Sequence, residues 1–180
     1  CGRHGVASSV AIHRLNHAVL YVRDIVRSKD FYCGTLGFDV VSEFPGAAFL
    51  RAAASDNDHD LGIFAIGDGA EASEAGRRTV GMYHLAWEVD TLGELAELAA
   101  TLSDADALVG ASNHGTTKSL YAKDPDGLEL EIVWLLPAHL IEAHDLAARA
   151  TVGPLDLDAE LARFGPDTRS GLGVSRPATV

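Results

Sequence analysis

"YHLAWEVD", residues 83–90, repeats the plan of "LNHAVLYVRD", residues 15–24, and that repetition decides the fold. In the later stretch His84, Ala86 and Glu88 alternate with Leu85, Trp87 and Val89. This is the period of two that sends successive side chains to opposite faces of a strand. In the earlier stretch His17, Val19 and Tyr21 share a face in the same manner. Each strand opens on a histidine and has a valine five residues on, at Val22 and Val89.

A helical stretch follows each strand. Near "IVRSKDFYCGTLGF", Ile25, Phe31, Tyr32 and Leu36 form an apolar stripe that stops at Gly37. In "TLGELAELAATL", Leu92, Leu95, Leu98, Ala99 and Leu102 keep a helical period. Three short strands come next in each half, near "FDVVSEF", "AAFLRAA" and "DLGIFAIG", then near "DALVGA", "KSLYAKD" and "LELEIVW". Both halves read as βαβββ, offset by 67 residues from His17 to His84. An internal repeat of this length is a statement about architecture.

The expected fold class is therefore α+β, two βαβββ modules forming a half-open mixed β-barrel around a shared cleft. Residues 14–68 form the first module and 80–136 the second. "AHLIEAHDLAARA" and "LDLDAELARF" make a C-terminal helical extension over 137–164. The ends, 1–13 and 165–180, are rich in Gly, Ser, Pro and Arg and are expected to be flexible.

Bulk properties narrow the function. A net charge of -12 argues against nucleic acid or an anionic membrane, since both reward a basic surface. No apolar run approaches the roughly 20 residues that span a bilayer. The start lacks the apolar block of a signal peptide, so the expected location is the cytoplasm. Cys1 and Cys33 make neither a disulfide framework nor a paired metal motif, and read as a terminal thiol and a buried helix residue. A small organic ligand remains open.

The last strand carries the chemistry. In "DPDGLELEIVW", residues 124–134, a Pro- and Gly-bearing turn leads into Leu128, Leu130 and Ile132 on one face and Glu129 and Glu131 on the other. Taken singly, Glu131 reads as part of a solvated acidic face, and His17 or His84 as a hydrogen-bonded strand residue. Taken together, the repeat places His17 and His84 on equivalent strands, with Glu131 on the last strand of the second module. Two imidazoles and one carboxylate that converge form a facial triad, the donor set that holds non-haem Fe(II) and leaves positions open.

"HAVLYVRDIVRSKDFYCGTLGFDVV", "YHLAWEVDTLGELAEL" and "SLYAKDPDGLELEIVW" resemble the vicinal oxygen chelate superfamily over about residues 15–136. That superfamily includes glyoxalase I, fosfomycin-resistance thiol transferases, bleomycin-binding proteins and extradiol catechol dioxygenases. The resemblance implies the paired βαβββ fold and metal-ligand roles for His17, His84 and Glu131. Aligning "DNDHDLGIF" with "DPDGLELEI" puts Gly62 or Ile63 where the second module has Glu131. The missing carboxylate weighs against a four-ligand glyoxalase site.

Similarity to the dioxygenases implies further roles. His59 matches an acid–base residue near bound oxygen, and His114 and Tyr121 match residues that hydrogen-bond the substrate. Against these stand a solvated turn for His59, among Asp56, Asp58 and Asp60, and a core aromatic with a satisfied hydroxyl for Tyr121. The expected activity is extradiol cleavage of a small catechol-like aromatic by O2 with Fe(II), in a homodimer. Trp87, Trp134, Phe49 and Phe64 are candidate apolar walls, or core. Rival expectations are a thiol transferase or isomerase using Mn(II), Ni(II) or Zn(II), and a metal-free drug-binding resistance protein.

Overall fold

The structure, a computed structural model, describes residues 12–73 and 78–171. Cys1, most of the expected N-terminal arm, part of the loop after the first module and residues 172–180 lie outside the described residues. The first module runs β1 (Ala18–Val22), α1 (Ile25–Lys29), β2 (Phe38–Phe44), β3 (Ala47–Ala52) and β4 (Leu61–Ala65). The second runs β5 (Leu85–Glu88), α2 (Leu92–Asp104), β6 (Leu108–Asn113), β7 (Thr117–Lys123) and β8 (Glu129–Leu135). The paired βαβββ architecture expected from the repeat is present.

Each module makes one four-stranded mixed sheet, in the orders β1-β4-β3-β2 and β5-β8-β7-β6. The first strand of each lies parallel to the last, at the sheet edge, because the helix returns the chain to the same end. Both helices begin on a side-chain cap. Asp24 accepts from the amides of Val26 (2.8 Å) and Arg27 (3.0 Å), and those two donors hold its carboxyl below the usual range. Thr91 and Glu94 cap each other reciprocally. Beyond Lys29 the first helix widens into a π-helical segment over Asp30–Thr35. It stops at Gly37, whose φ of +73° suits a residue without a Cβ.

One apolar core serves both modules. Leu20 and Val22 of β1, Leu50 of β3, Leu61 and Ile63 of β4, Leu92, Leu95 and Leu102 of α2, and Leu130, Ile132 and Trp134 of β8 are all buried in it. Each such side chain contributes on the order of 1.5–3 kcal/mol through burial. Phe38 meets Trp87 edge-on at 5.0 Å, joining the modules. Trp134 is thus fully buried in the core, and Trp87 is partly buried against it.

The DPDG turn does structural work at this junction. Asp124 accepts from the amides of Asp126 (2.9 Å) and Leu128 (2.8 Å) and from the hydroxyl of Tyr32 (3.2 Å). Burial pushes the Asp124 carboxyl up, and burial together with the facing carboxylate pushes the Tyr32 phenol up. Asp126 takes the guanidinium groups of Arg23 at 3.0 Å and Arg27 at 2.6 Å. Cys33 is free and half-buried.

The extension departs from expectation in two places. "AHLIEAHDLAARA" is not one helix: a 3-10 turn at Ala138–Leu140 gives way to extended backbone at Ile141 and Glu142 before α3 (Ala143–Ala148). The break occurs because the Glu142 amide is capped by Asp145 at 3.0 Å. After α4 (Leu157–Phe164) the chain expected to be flexible from 165 lies against the second module as far as Gly171. Thr168 accepts from Leu92 N (3.1 Å) and Trp134 Nε1 (3.0 Å), and Gly171 N donates to Leu135 O at 2.9 Å. Among the described residues no helix is long and apolar enough to cross a membrane.

Candidate functional site

Since the helix-side faces of the two sheets share the core, their opposite faces are turned outward. All six expected site residues lie on these outward faces, four on the second module and two on the first.

On the second module, His84 immediately precedes β5, and Glu131 on the adjacent β8 pairs in register with Ala86. His84 Nε2 lies 3.0 Å from Glu131 Oε2, with both side chains largely buried. The other ring nitrogen, Nδ1, is buried without a hydrogen-bond partner among the described residues. Tyr121 stands across from Glu131 in the β7–β8 ladder, its ring 6.0 Å from that of His84. Its hydroxyl closes a triangle with His114 Nε2 (3.2 Å) and Ser112 Oγ (3.3 Å), and Ser112 Oγ lies 2.8 Å from His114 Nε2. Tyr121 is half-buried, and polar side chains of this face satisfy its hydroxyl. Ser112 is a site residue that the sequence reading passed over. Its signal was the strand period, since it shares a face with His114 two residues on.

On the first module, the rings of His17 and His59 meet at a 41° tilt with centroids 4.5 Å apart. His59 also meets Phe49 at 4.9 Å, and Phe49 packs edge-on against Phe44 at 6.3 Å and Phe64 at 5.8 Å. His17 Nδ1 lies 2.7 Å from Asn16 Oδ1, and His59 Nδ1 lies 2.9 Å from Asp58 Oδ2. His59 Nε2 is buried without a hydrogen-bond partner among the described residues. The His59 ring packs against His17 and Phe49, unlike that of a solvated turn residue. Asp60 closes the preceding turn instead, accepting from Ala52 N, Ser55 Oγ and Asn57 Nδ2 at 2.9, 2.8 and 2.6 Å.

Strand register resolves the alignment of the two modules. Val19, two residues after His17, pairs with Gly62, whereas Ala86, two residues after His84, pairs with Glu131. Gly62 is thus the counterpart of Glu131, and a Cβ there would meet Phe49 at 3.3 Å. The aromatic cluster occupies the space that a carboxylate would fill.

His84 and Glu131 fit a divalent metal in donor chemistry, one imidazole and one carboxylate side by side. A third donor does not join them within one chain: among the described residues no group of three His, Cys, Asp or Glu is close enough to hold a metal. His17 has the donor chemistry but sits on the other open face.

A model of the Glyoxalase/Bleomycin resistance protein/Dioxygenase superfamily matches residues 14–132. Biphenyl-2,3-diol 1,2-dioxygenase 3 of Rhodococcus globerulus is 33% identical over 120 residues, covering 66% of this chain and 62% of the relative. Catechol-2,3-dioxygenase of Bacillus subtilis (strain 168) is 29% identical over 119 residues, covering 66% of this chain and 40% of the relative. The chain therefore spans less than two thirds of the length of each. Among solved structures, a glyoxylase/bleomycin resistance protein/dioxygenase domain from Frankia sp. EAN1pec superposes with a TM-score of 0.59 at 19% identity, covering 73% of this chain and 98% of that one. The likeness to that structure is one of fold.

Proposed function

Because the chain belongs to the glyoxalase/bleomycin resistance protein/dioxygenase superfamily, we propose that it is a metal-dependent extradiol dioxygenase that opens a catechol-like ring with O2 and works as a homodimer. The observation that carries this reading is the His84–Glu131 pair bordered by the hydrogen-bonded triangle of Ser112, His114 and Tyr121. The two relatives described above, named for a biphenyl diol and for catechol, support the substrate class.

In this reading His84 and Glu131 of one copy and His17 of a second hold the metal. The two open faces are complementary, one aromatic and imidazole-rich, the other carrying the carboxylate. Each is flanked by an edge strand, β1 or β5, with a strand neighbour on one side only among the described residues. A twofold axis that sets the first-module face of each copy on the second-module face of the other satisfies both contacts at once and closes the assembly. It builds two sites.

A bound Fe(II) would supply Lewis acidity toward the diol and the redox chemistry that activates O2. The chain's own residues do the rest. The Tyr121 hydroxyl and His114 Nε2, already within hydrogen-bond reach of each other, orient the substrate oxygens and offer a route for the proton lost on binding. His59 Nε2 is free to accept a proton and return it. Phe49 and Phe64 give the ring an apolar wall and exclude water.

The test is oxygen consumption by anaerobically Fe(II)-loaded protein with a panel of catechols, watched for a yellow ring-opened product, beside Glu131→Ala. Uptake that vanishes in the variant supports the proposal. Stoichiometric metal without uptake across the panel would point to an isomerase or thiol transferase. Protein that takes up no Fe(II), Mn(II), Ni(II) or Zn(II) would leave a ligand-binding role.

A further inference from the structure

We propose that Glu160, in the C-terminal extension, is a positioning residue for His114. Lys118 lies on the helix side of β7, 1% exposed, behind the face that carries Tyr121. Its ammonium group meets Glu160 Oε1 at 3.0 Å and Asn113 Oδ1 at 2.9 Å. Asn113 sits between Ser112 and His114, and its side chain does two further things. Nδ2 donates to Glu160 Oε1 at 2.9 Å, and Oδ1 accepts from the amide of Gly115 at 2.8 Å. Glu160 thus holds the Nδ2 end of the amide that spans the His114 turn directly, and the Oδ1 end through Lys118.

The rest of the extension grips the same turn. Asn113 exchanges two backbone hydrogen bonds with Gly153, at 2.9 and 3.0 Å. Gly115, at φ +73°, passes so close to the Asp145 carbonyl that a Cβ there would fall well inside van der Waals contact. Asp145 is itself held by both terminal nitrogens of Arg163, at 2.8 and 2.9 Å.

A buried ion pair is a poor way to gain stability, because desolvation offsets most of the attraction, and Glu160 Oε2 is buried with no partner among the described residues. What the pair supplies is geometry. It permits one placement of the β6–β7 turn, and therefore one placement of His114 against Ser112 and Tyr121.

The catalytic meaning of that placement rests on the dioxygenase reading; the placement itself does not. The experiment compares Glu160→Ala with Glu160→Gln, which keeps an acceptor for Asn113 and Lys118. It reads the imidazole NMR signals of His114 in the substrate-free protein, with the exposed His139 as internal control. In Glu160→Ala the His114 signals move and those of His139 stay, and kcat falls about 10-fold or more with a smaller change in KM. Glu160→Gln restores the signals and most of kcat. If Glu160→Ala does not fold, Lys118→Met with Glu160→Leu, which removes both charges of the pair, takes its place, and the His114 signals move there too. Variants that lose thermal stability while His114 keeps its native signals would overturn the proposal. That outcome can be read even if the wild-type protein cleaves no catechol.

Discussion

Mixing two dead variants should restore part of the activity. In the proposed assembly His17→Ala removes a ligand on the first-module face, and Glu131→Ala removes one on the second. Each pure variant then has every site broken. When equal amounts are unfolded together and refolded, about half of the dimers contain one copy of each. In such a mixed dimer one site loses both residues, and the other, built from the native faces of both chains, keeps all three ligands. About one quarter of the wild-type sites should return, seen as metal retained after desalting and as oxygen uptake with a catechol. Ligands drawn from a single chain predict zero, because every chain in the mixture lacks one. Mixed dimers verified by mass that hold no more metal than the parents would refute the shared site, whatever the substrate proves to be.

Other perturbations probe the frame around the site. Gly115→Ala combines a positive φ with a steric conflict against α3, so thermal or urea unfolding should register a loss of about 3 kcal/mol. Tyr32→Phe removes the hydroxyl that reaches Asp124 across the modules and should cost about 1 kcal/mol, with little change in metal content. Asp145, held by Arg163, has its carboxyl pulled from 3.8 down to about 2. A carboxyl lowered on folding stabilises the protein fully above its unfolded value, so this contribution, about 2 kcal/mol, should fade as pH falls from near 4 toward about 2. Acid titration of Asp145→Asn, followed by circular dichroism, should show a shallower loss over that window.

The repeat was legible because strand and helix periods survive in sequence: His17 and His84, with alternating neighbours, placed β1 and β5 without structural help. Parity also held information that was not used. Trp87 and Trp134 fall in phase with Leu85 and Ile132, opposite His84 and Glu131, and parity alone assigns them to the core. The separation of His17 from Glu131 was hidden for a physical reason. Alternation tells which residues share a face, and only packing of the helix-side surfaces decides which faces meet. Lys118 and Glu160 were illegible too, since a lysine in a strand reads as solvated until a partner 42 residues away is found beside it. The segment from Gly165 to Gly171 looked loose by composition, yet it is held mostly through backbone groups, which leave no mark on residue type.

The open edge of β1 has a consequence for handling. Val19 and Tyr21 are 51% and 71% exposed there, and Phe44 on the same sheet 57%. If a second copy covers them, metal occupancy and self-association become one linked equilibrium. Dilution would then strip the metal without any chelator, and added metal would pull monomers together. Apparent metal affinity would rise with protein concentration, and a sample stored dilute and unloaded would present sticky strand edges prone to clumping.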